Sequence, residues 1–177
     1  MNKKLIIFII LISLLIAGGI FWWQSQSKEA ETYSEVFKNP IDPINYPKEH
    51  KRVYEKAQKI VDFPVIYPIE MPEGYGLVKV ECDRDILSKE KGACIFTYRK
   101  GEKQIRVIEG VADIGFVEDL GEIELKNGEK GWLWKRAHKL GISLPSESSS
   151  YNYFLTGENL SKEELIQIAN MFFSESK

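Results

Sequence analysis

The spacing of apolar positions changes several times along the chain, and each change marks a new stretch. Residues 5–23, LIIFIILISLLIAGGIFWW, are apolar throughout and carry no charge. Nothing in them is set aside to face water, so no amphipathic period exists. As a helix these 19 residues span ~28 Å, close to the hydrocarbon thickness of a bilayer. Residues 24–47 are polar, interrupted by Pro40, Pro43 and Pro47, and follow neither a helical nor a strand period, which predicts a tether. In residues 48–62, KEHKRVYEKAQKIVD, Val53, Ala57, Ile60 and Val61 fall at helical spacing among charges, predicting one amphipathic helix stopped by Pro64. Pro64, Pro68 and Pro72 then recur every four residues. Each fixes its own φ and extends its predecessor, so an extended, edge-like segment is expected, ending in a turn at Glu73-Gly74.

Beyond that turn the period drops to two. Val78, Val80 and Cys82 alternate, then Cys94, Phe96 and Tyr98, then Ile105 and Val107 after RKGEKQ. Asn127-Gly128 predicts a two-residue type I′ hairpin between GEIELK and EKGWLW. Residues 136–145 read as a loop, and SSSYNYFLTG as the last strand. The C-terminus returns to the helical period: Ser161 and Glu164 make a capping box, Leu160 staples onto Leu165, and Leu165, Ile168, Ala169 and Phe172 form the buried face. The expected fold is α+β, an antiparallel meander sheet with a C-terminal helix packed on one face. One amphipathic helix and an N-terminal transmembrane helix precede it. Three parts follow: a transmembrane anchor at 1–23, a Pro-containing tether at 24–47, and a domain at 48–177.

Composition and charge place these parts. At 177 residues, 44% hydrophobic and 28% charged, the chain suffices for one domain with a real core. A net charge of -2 without a Lys/Arg block leaves nothing to neutralise a phosphate backbone, so nucleic acid is not an expected partner. Lys3 and Lys4 precede the apolar run, whereas Glu29 and Glu31 follow it. The positive-inside bias then puts the N-terminus in the cytoplasm and the domain on the extracytoplasmic side of the cell membrane, with Trp22 and Trp23 at the outer interface. The rival reading is a cleaved secretory signal ending at Ala17-Gly18-Gly19, which exports the remainder equally.

From MPEGYGLVKVE onward the chain resembles a known family. The Pro-rich entry, Pro72-Glu73-Gly74-Tyr75 leading into a strand, FTYRKGEKQIRVIEG, a strand centred on Trp134 and YFLTGENLSKEELIQIANMF carry the resemblance, over residues 60–173. The family is the uncharacterised extracytoplasmic domain at the C-terminal end of many membrane-anchored, anti-sigma-factor-like proteins of Gram-positive bacteria. The resemblance implies that location, that fold type and an interaction or sensing role, with no catalytic residues to carry over. Residues 1–4 are too few to hold a sigma factor, so a sensing partner is expected to be a separate protein.

Candidate chemistry is sparse. Pairing Val78 with Tyr98 and Val80 with Phe96 sets Cys82 opposite Cys94, a disulfide candidate in an oxidising compartment; two buried free thiols are the alternative. A metal site joining the cysteines to His50 and His138 matches no compact ligand spacing. Ser88-Lys89-Glu90-Lys91 fits S-x-x-K only in a charged hairpin loop, and no G-x-S-x-G is present. His138, near Glu118 and Asp119 as candidate acids, reads as a solvated loop histidine. The acidic pairs Asp83 with Asp85 and Glu122 with Glu124 read as solvated faces or loops. Neither an enzymatic activity nor a cofactor is expected. Trp132 and Trp134 share one strand face and Tyr151 and Tyr153 another, which offers a stacking platform for wall glycan. Against it, a two-residue Asn127-Gly128 turn sets Ile123 opposite Trp132 and makes the tryptophan face a core face. The expectation is therefore a non-enzymatic, membrane-tethered extracytoplasmic domain that binds or senses a protein partner or wall component. A glycan-binding module is the alternative.

Overall fold

Antiparallel pairing organises the computed structural model, which describes residues 32–68, 71–84, 92–110, 117–145 and 152–173. Residues 5–23, read as the membrane span, lie outside the described residues, as do residues 24–31 of the tether. Among the described residues no helix is long and apolar enough to cross a membrane. The elements run β1 (Thr32–Ile41), α1 (Pro47–Gln58), β2 (Gly76–Asp83), β3 (Ala93–Lys100), β4 (Lys103–Gly110), β5 (Glu118–Glu124), β6 (Lys130–Arg136), β7 (Lys139–Pro145), β8 (Asn152–Glu158) and α2 (Lys162–Phe173). One eight-stranded sheet results, in the order β1-β2-β3-β4-β8-β7-β6-β5. The α+β expectation holds, with a refinement to the meander. Strands β1 to β4 meander from one edge and β5 to β8 from the other, and the halves join where β4 pairs with β8.

Two expected boundaries move. Residues 32–41, assigned to the tether, form edge strand β1 against β2, so the folded unit begins at Thr32 rather than at residue 48. On the inner face β1 presents Tyr33 and Glu35 where an apolar residue would reveal a strand, and these are tied down by polar contacts. The Tyr33 hydroxyl donates to Glu35 Oε2 at 2.6 Å, and Lys56 Nζ of α1 reaches the same oxygen at 3.2 Å. The loop expected over 136–145 is instead a two-residue turn, Ala137-His138, followed by β7, whose Leu140, Ile142 and Leu144 alternate on the core face. Ala137 takes a φ of 52° without a Gly, Asn or Asp to announce it.

Helix α1 starts where Asp42 accepts the Ile44 amide at 2.8 Å, and Pro47 occupies the first turn. It ends at Gln58, well before Pro64, because the Gln58 side chain donates to Phe63 O at 2.9 Å and accepts from Val65 N at 2.8 Å, which turns the chain back over the sheet. The Pro-rich stretch that follows is extended, though not a strand. It lays Phe63, Met71 and Tyr75 on the core and closes at Glu73-Gly74, Gly74 having φ 82°. Helix α2 carries the expected capping box, Glu164 N donating to Ser161 Oγ at 3.2 Å and Ser161 N to Glu164 Oε2 at 3.0 Å. Its Leu165, Ile168, Ala169, Phe172 and Phe173 are buried. Both helices and the Pro-rich segment cover the same face of the sheet.

The register places Cys82 opposite Cys94, sulfurs 2.12 Å apart and joined. Val80 opposes Phe96 as expected, but Leu77, not Val78, opposes Tyr98. A bulge makes Val78 the extra residue and turns it to the other face. Reducing the bridge is expected to lower the unfolding free energy by about 3 kcal/mol for a loop of this size. Urea denaturation with and without reductant checks this, and the mass of the unreduced, alkylated protein should show no free thiol.

Candidate functional site

Polar side chains gather in two places: inside the core, and on the sheet face that the helices leave open. The inner group stands on two residues that periodicity places in the core. His50 precedes Val53 and Tyr54 by three and four residues on the buried stripe of α1, and Glu109 continues the Ile105, Val107 alternation of β4. Both are fully buried. His50 Nε2 lies 2.8 Å from Tyr98 Oη, which in turn is 2.6 Å from Tyr54 Oη. Glu109, between Cys94 and Tyr153 on neighbouring strands, accepts the Ile66 amide of the Pro-rich segment at 3.1 Å. Its Oε1 and the His50 Nδ1 have no hydrogen-bond partner among the described residues.

Burial without a counter-charge pushes the His50 imidazole down to about 4 and the Glu109 carboxyl well above the usual carboxylate range, the latter offset in part by the Ile66 amide. Both are therefore neutral in the folded chain near neutrality. With no exposed surface, neither touches a bound molecule in this conformation. They bear on stability, His50 holding α1 to β3 and Glu109 holding the Pro-rich segment to β4.

The candidate acids and bases of the sequence do not assemble. His138 is exposed in the β6–β7 turn, and Glu118 and Asp119 lie on edge strand β5 opposite Lys135 and Trp134. Among the described residues no three His, Cys, Asp or Glu side chains gather as metal ligands.

The tryptophans are where the structure departs furthest from expectation. Leu125 N donates to Glu129 O at 2.8 Å and Gly128 N to Leu125 O at 2.9 Å, so the β5–β6 turn holds three residues rather than two. That extra residue slips the register by one, and a slip of one exchanges the faces of a strand. Glu122 rather than Ile123 opposes Trp132, and Leu133 points into the core. Trp132 and Trp134 thus lie on the open face, not on a core face. Tyr153 lies on the opposite, helix-covered face with its ring 5.9 Å from that of Phe173, and Tyr151 lies outside the described residues. Of the three described aromatics, Trp132 and Trp134 share the open face and Tyr153 does not.

Cross-strand partners order that face into rows. One runs Ser34, Glu81, Ile95, Ile108, Phe154, Ser143, Trp132, Glu122 across all eight strands; the next runs Val36, Lys79, Thr97, Arg106, Thr156, Gly141, Trp134, Asp119. The first carries half-buried Ile95 and Ile108 and buried Phe154, and ends at Trp132, 47% exposed. Trp134 is held flat beside it. Its Nε1 donates to Ser143 Oγ at 2.8 Å, and its ring covers Gly141, where a Cβ would stand 2.1 Å from Cζ2. Toward β1 the face deepens into a groove of about 420 Å³, floored by Ile95 and Thr97 and bordered by Arg99 and Arg106. A larger cavity of about 660 Å³ lies at the sheet end beside Tyr75 and Ile168, but its lysines are engaged: Lys100 donates to Glu73 O at 2.7 Å, and Lys103 pairs with Glu164.

Three outcomes follow. Below its ordinary value of 6.5 the unfolded chain protonates His50, which the folded chain refuses until about 4. Stability should therefore fall over that window on acidification by about 3 kcal/mol. A urea series across it should show a shallower fall for His50→Phe. Glu109 has the opposite sign: its folded pKa is raised, so its contribution is lost as pH climbs from the unfolded carboxylate value through the folded one. Glu109→Gln should then be more stable than the parent above neutrality, by a margin that grows with pH. Gly141→Ala should cost about 1–3 kcal/mol by displacing the Trp134 ring, read as a lower melting temperature with a shifted tryptophan emission.

Comparison with known proteins returns no matching family model, no matching curated protein and no matching solved structure.

Proposed function

We propose that the chain is a non-enzymatic, membrane-tethered extracytoplasmic binding domain whose binding surface is the open face of its sheet. The observation that carries this reading is Trp132, 47% exposed on a sheet face that neither helix covers. An exposed indole on the same face as a groove offers an apolar contact beside a concave site, the arrangement a docking surface needs. The charge-free run at residues 5–23, with Lys3 and Lys4 before it, supports the tether and its orientation, and a joined Cys82–Cys94 pair suits an oxidising compartment. The resemblance to the extracytoplasmic domain of anti-sigma-factor-like proteins points to the same place and to the same kind of role. The glycan-binding reading is favoured by one further observation, that Trp132 and Trp134 occupy the open face together, bordered by Ser143 and the Lys130–Glu122 ion pair. Exposed indole beside polar groups suits the apolar faces and hydroxyls of a sugar.

Location and binding are tested separately. In intact cells a membrane-impermeant amine reagent is expected to label lysines of the folded unit, and the chain to stay in the membrane fraction through alkaline carbonate; protection from the reagent refutes the orientation. Full-length protein in detergent micelles is expected to be retained on purified peptidoglycan, with retention falling about tenfold in Trp132→Ala. Retention unchanged by that substitution sinks the open-face reading.

A further inference from the structure

The groove at the β1 end of the open face differs from its surroundings in charge. Lys79 already pairs with Glu81 at 2.7 Å, but Arg99 and Arg106 make no ion pair among the described residues. Arg99 has a neutral partner, Gln104 Oε1, at 3.4 Å, near the limit for a hydrogen bond. Arg106 feels Glu158, which Lys139 occupies at 2.5 Å. The two arginines stand on adjacent strands two positions apart along the ladder, since Arg99 opposes Gln104 and Arg106 opposes Thr97. Diagonal neighbours of this kind are ~7–8 Å apart, within reach of long side chains, which lets two guanidinium forks converge on one oxyanion.

Two exposed arginines on a sheet are ordinary solvated side chains. What sets this pair apart is the concavity around them. Near the register shift between Val36 and Ile41 of β1 and the matching bulge at Val78 of β2, Val36 and Pro40 line the groove beside the Ile95–Thr97 floor. Val36 is 69% exposed and gives the groove an accessible apolar rim. The groove and the exposed indole share one face, because Ile95 of the groove floor belongs to the row that ends at Trp132. Four strand spacings separate Ile95 on β3 from Trp132 on β6, or ~19 Å.

We propose that the groove is an oxyanion subsite and that the ligand of the open face is an acidic glycan. One of its sugar rings stacks on Trp132, the exposed end of the row, and one carboxylate or phosphate substituent is held between Arg99 and Arg106. This rests on the open-face reading above and adds to it the ligand's charge and the residues that recognise it. An acidic polypeptide would use the arginines equally well, but it would have no call on the exposed indole at the far end of the same row.

The test measures binding of full-length protein in detergent micelles to three probes: an oligogalacturonate, a neutral chito-oligosaccharide of equal length, and a polyglutamate of equal charge. The oligogalacturonate is expected to bind about tenfold more tightly than either of the others. In the double variant Arg99→Gln, Arg106→Gln that advantage over the neutral sugar should vanish, and in Trp132→Ala both sugars should weaken. Both arginines are on the open face away from the core, and an unchanged melting temperature confirms that the double variant is folded. Equal binding of the acidic and neutral sugars overturns the oxyanion subsite while leaving the open-face reading standing. Polyglutamate binding as tightly as the uronate overturns the glycan. Binding of none of the three overturns the proposal; the peptidoglycan retention and its Trp132 dependence then decide separately whether the open-face reading survives.

Discussion

The ladder between β4 and β8 makes this one sheet rather than two. It joins strands nearly fifty positions apart in sequence, and on its inner side it stacks Ile105 on Gly157, Val107 on Leu155 and Glu109 on Tyr153. Each half brings its own cover, α1 against β1 and β2 and α2 against β7 and β8. The loop-closure entropy of that long connection is repaid when Val107 and Leu155 leave water together. The open face is a consequence of the same arrangement, because both covering helices arrive on one side.

Where alternation was regular, the sequence was readable. Val80, Cys82, Cys94, Phe96, Ile105 and Val107 sit where a period of two puts them, and the capping box of α2 is present in both of its hydrogen bonds. The failures are of three physical kinds. A bulge at Val78 adds one residue that no composition rule marks. The turn at Ala137-His138 puts its positive φ on an alanine, so β7 was hidden although its alternation was plain. And Asn127-Gly128, which favours a two-residue turn, instead closes a three-residue one, so every side chain of β6 changes face. That last error is the one that mattered, since it consigned Trp132 to the core.

The inner polar group was overlooked for a different reason. His50 and Glu109 obey the pattern, each occupying a position that periodicity assigns to the core, but their residue types argue for the surface. Their neutrality when buried reconciles the two. The cost is one orphaned atom on each, set against fixed attachment of α1 through Tyr98 and of the Pro-rich segment through Ile66. The segment that crosses the core is thus latched by a protonated acid, where an amide or hydroxyl would ordinarily serve.

That latch changes the arithmetic of the molecule's charge. The formal value of -2 and the isoelectric point near 5.8 both count Glu109 as an anion. Folding keeps a proton on it that the open chain releases, so near neutrality the native protein carries one negative charge fewer than its own unfolded form from this residue alone. In an electric field the two forms of this one chain would separate by more than their size, and a salt or buffer that favours the lower charge would favour the fold.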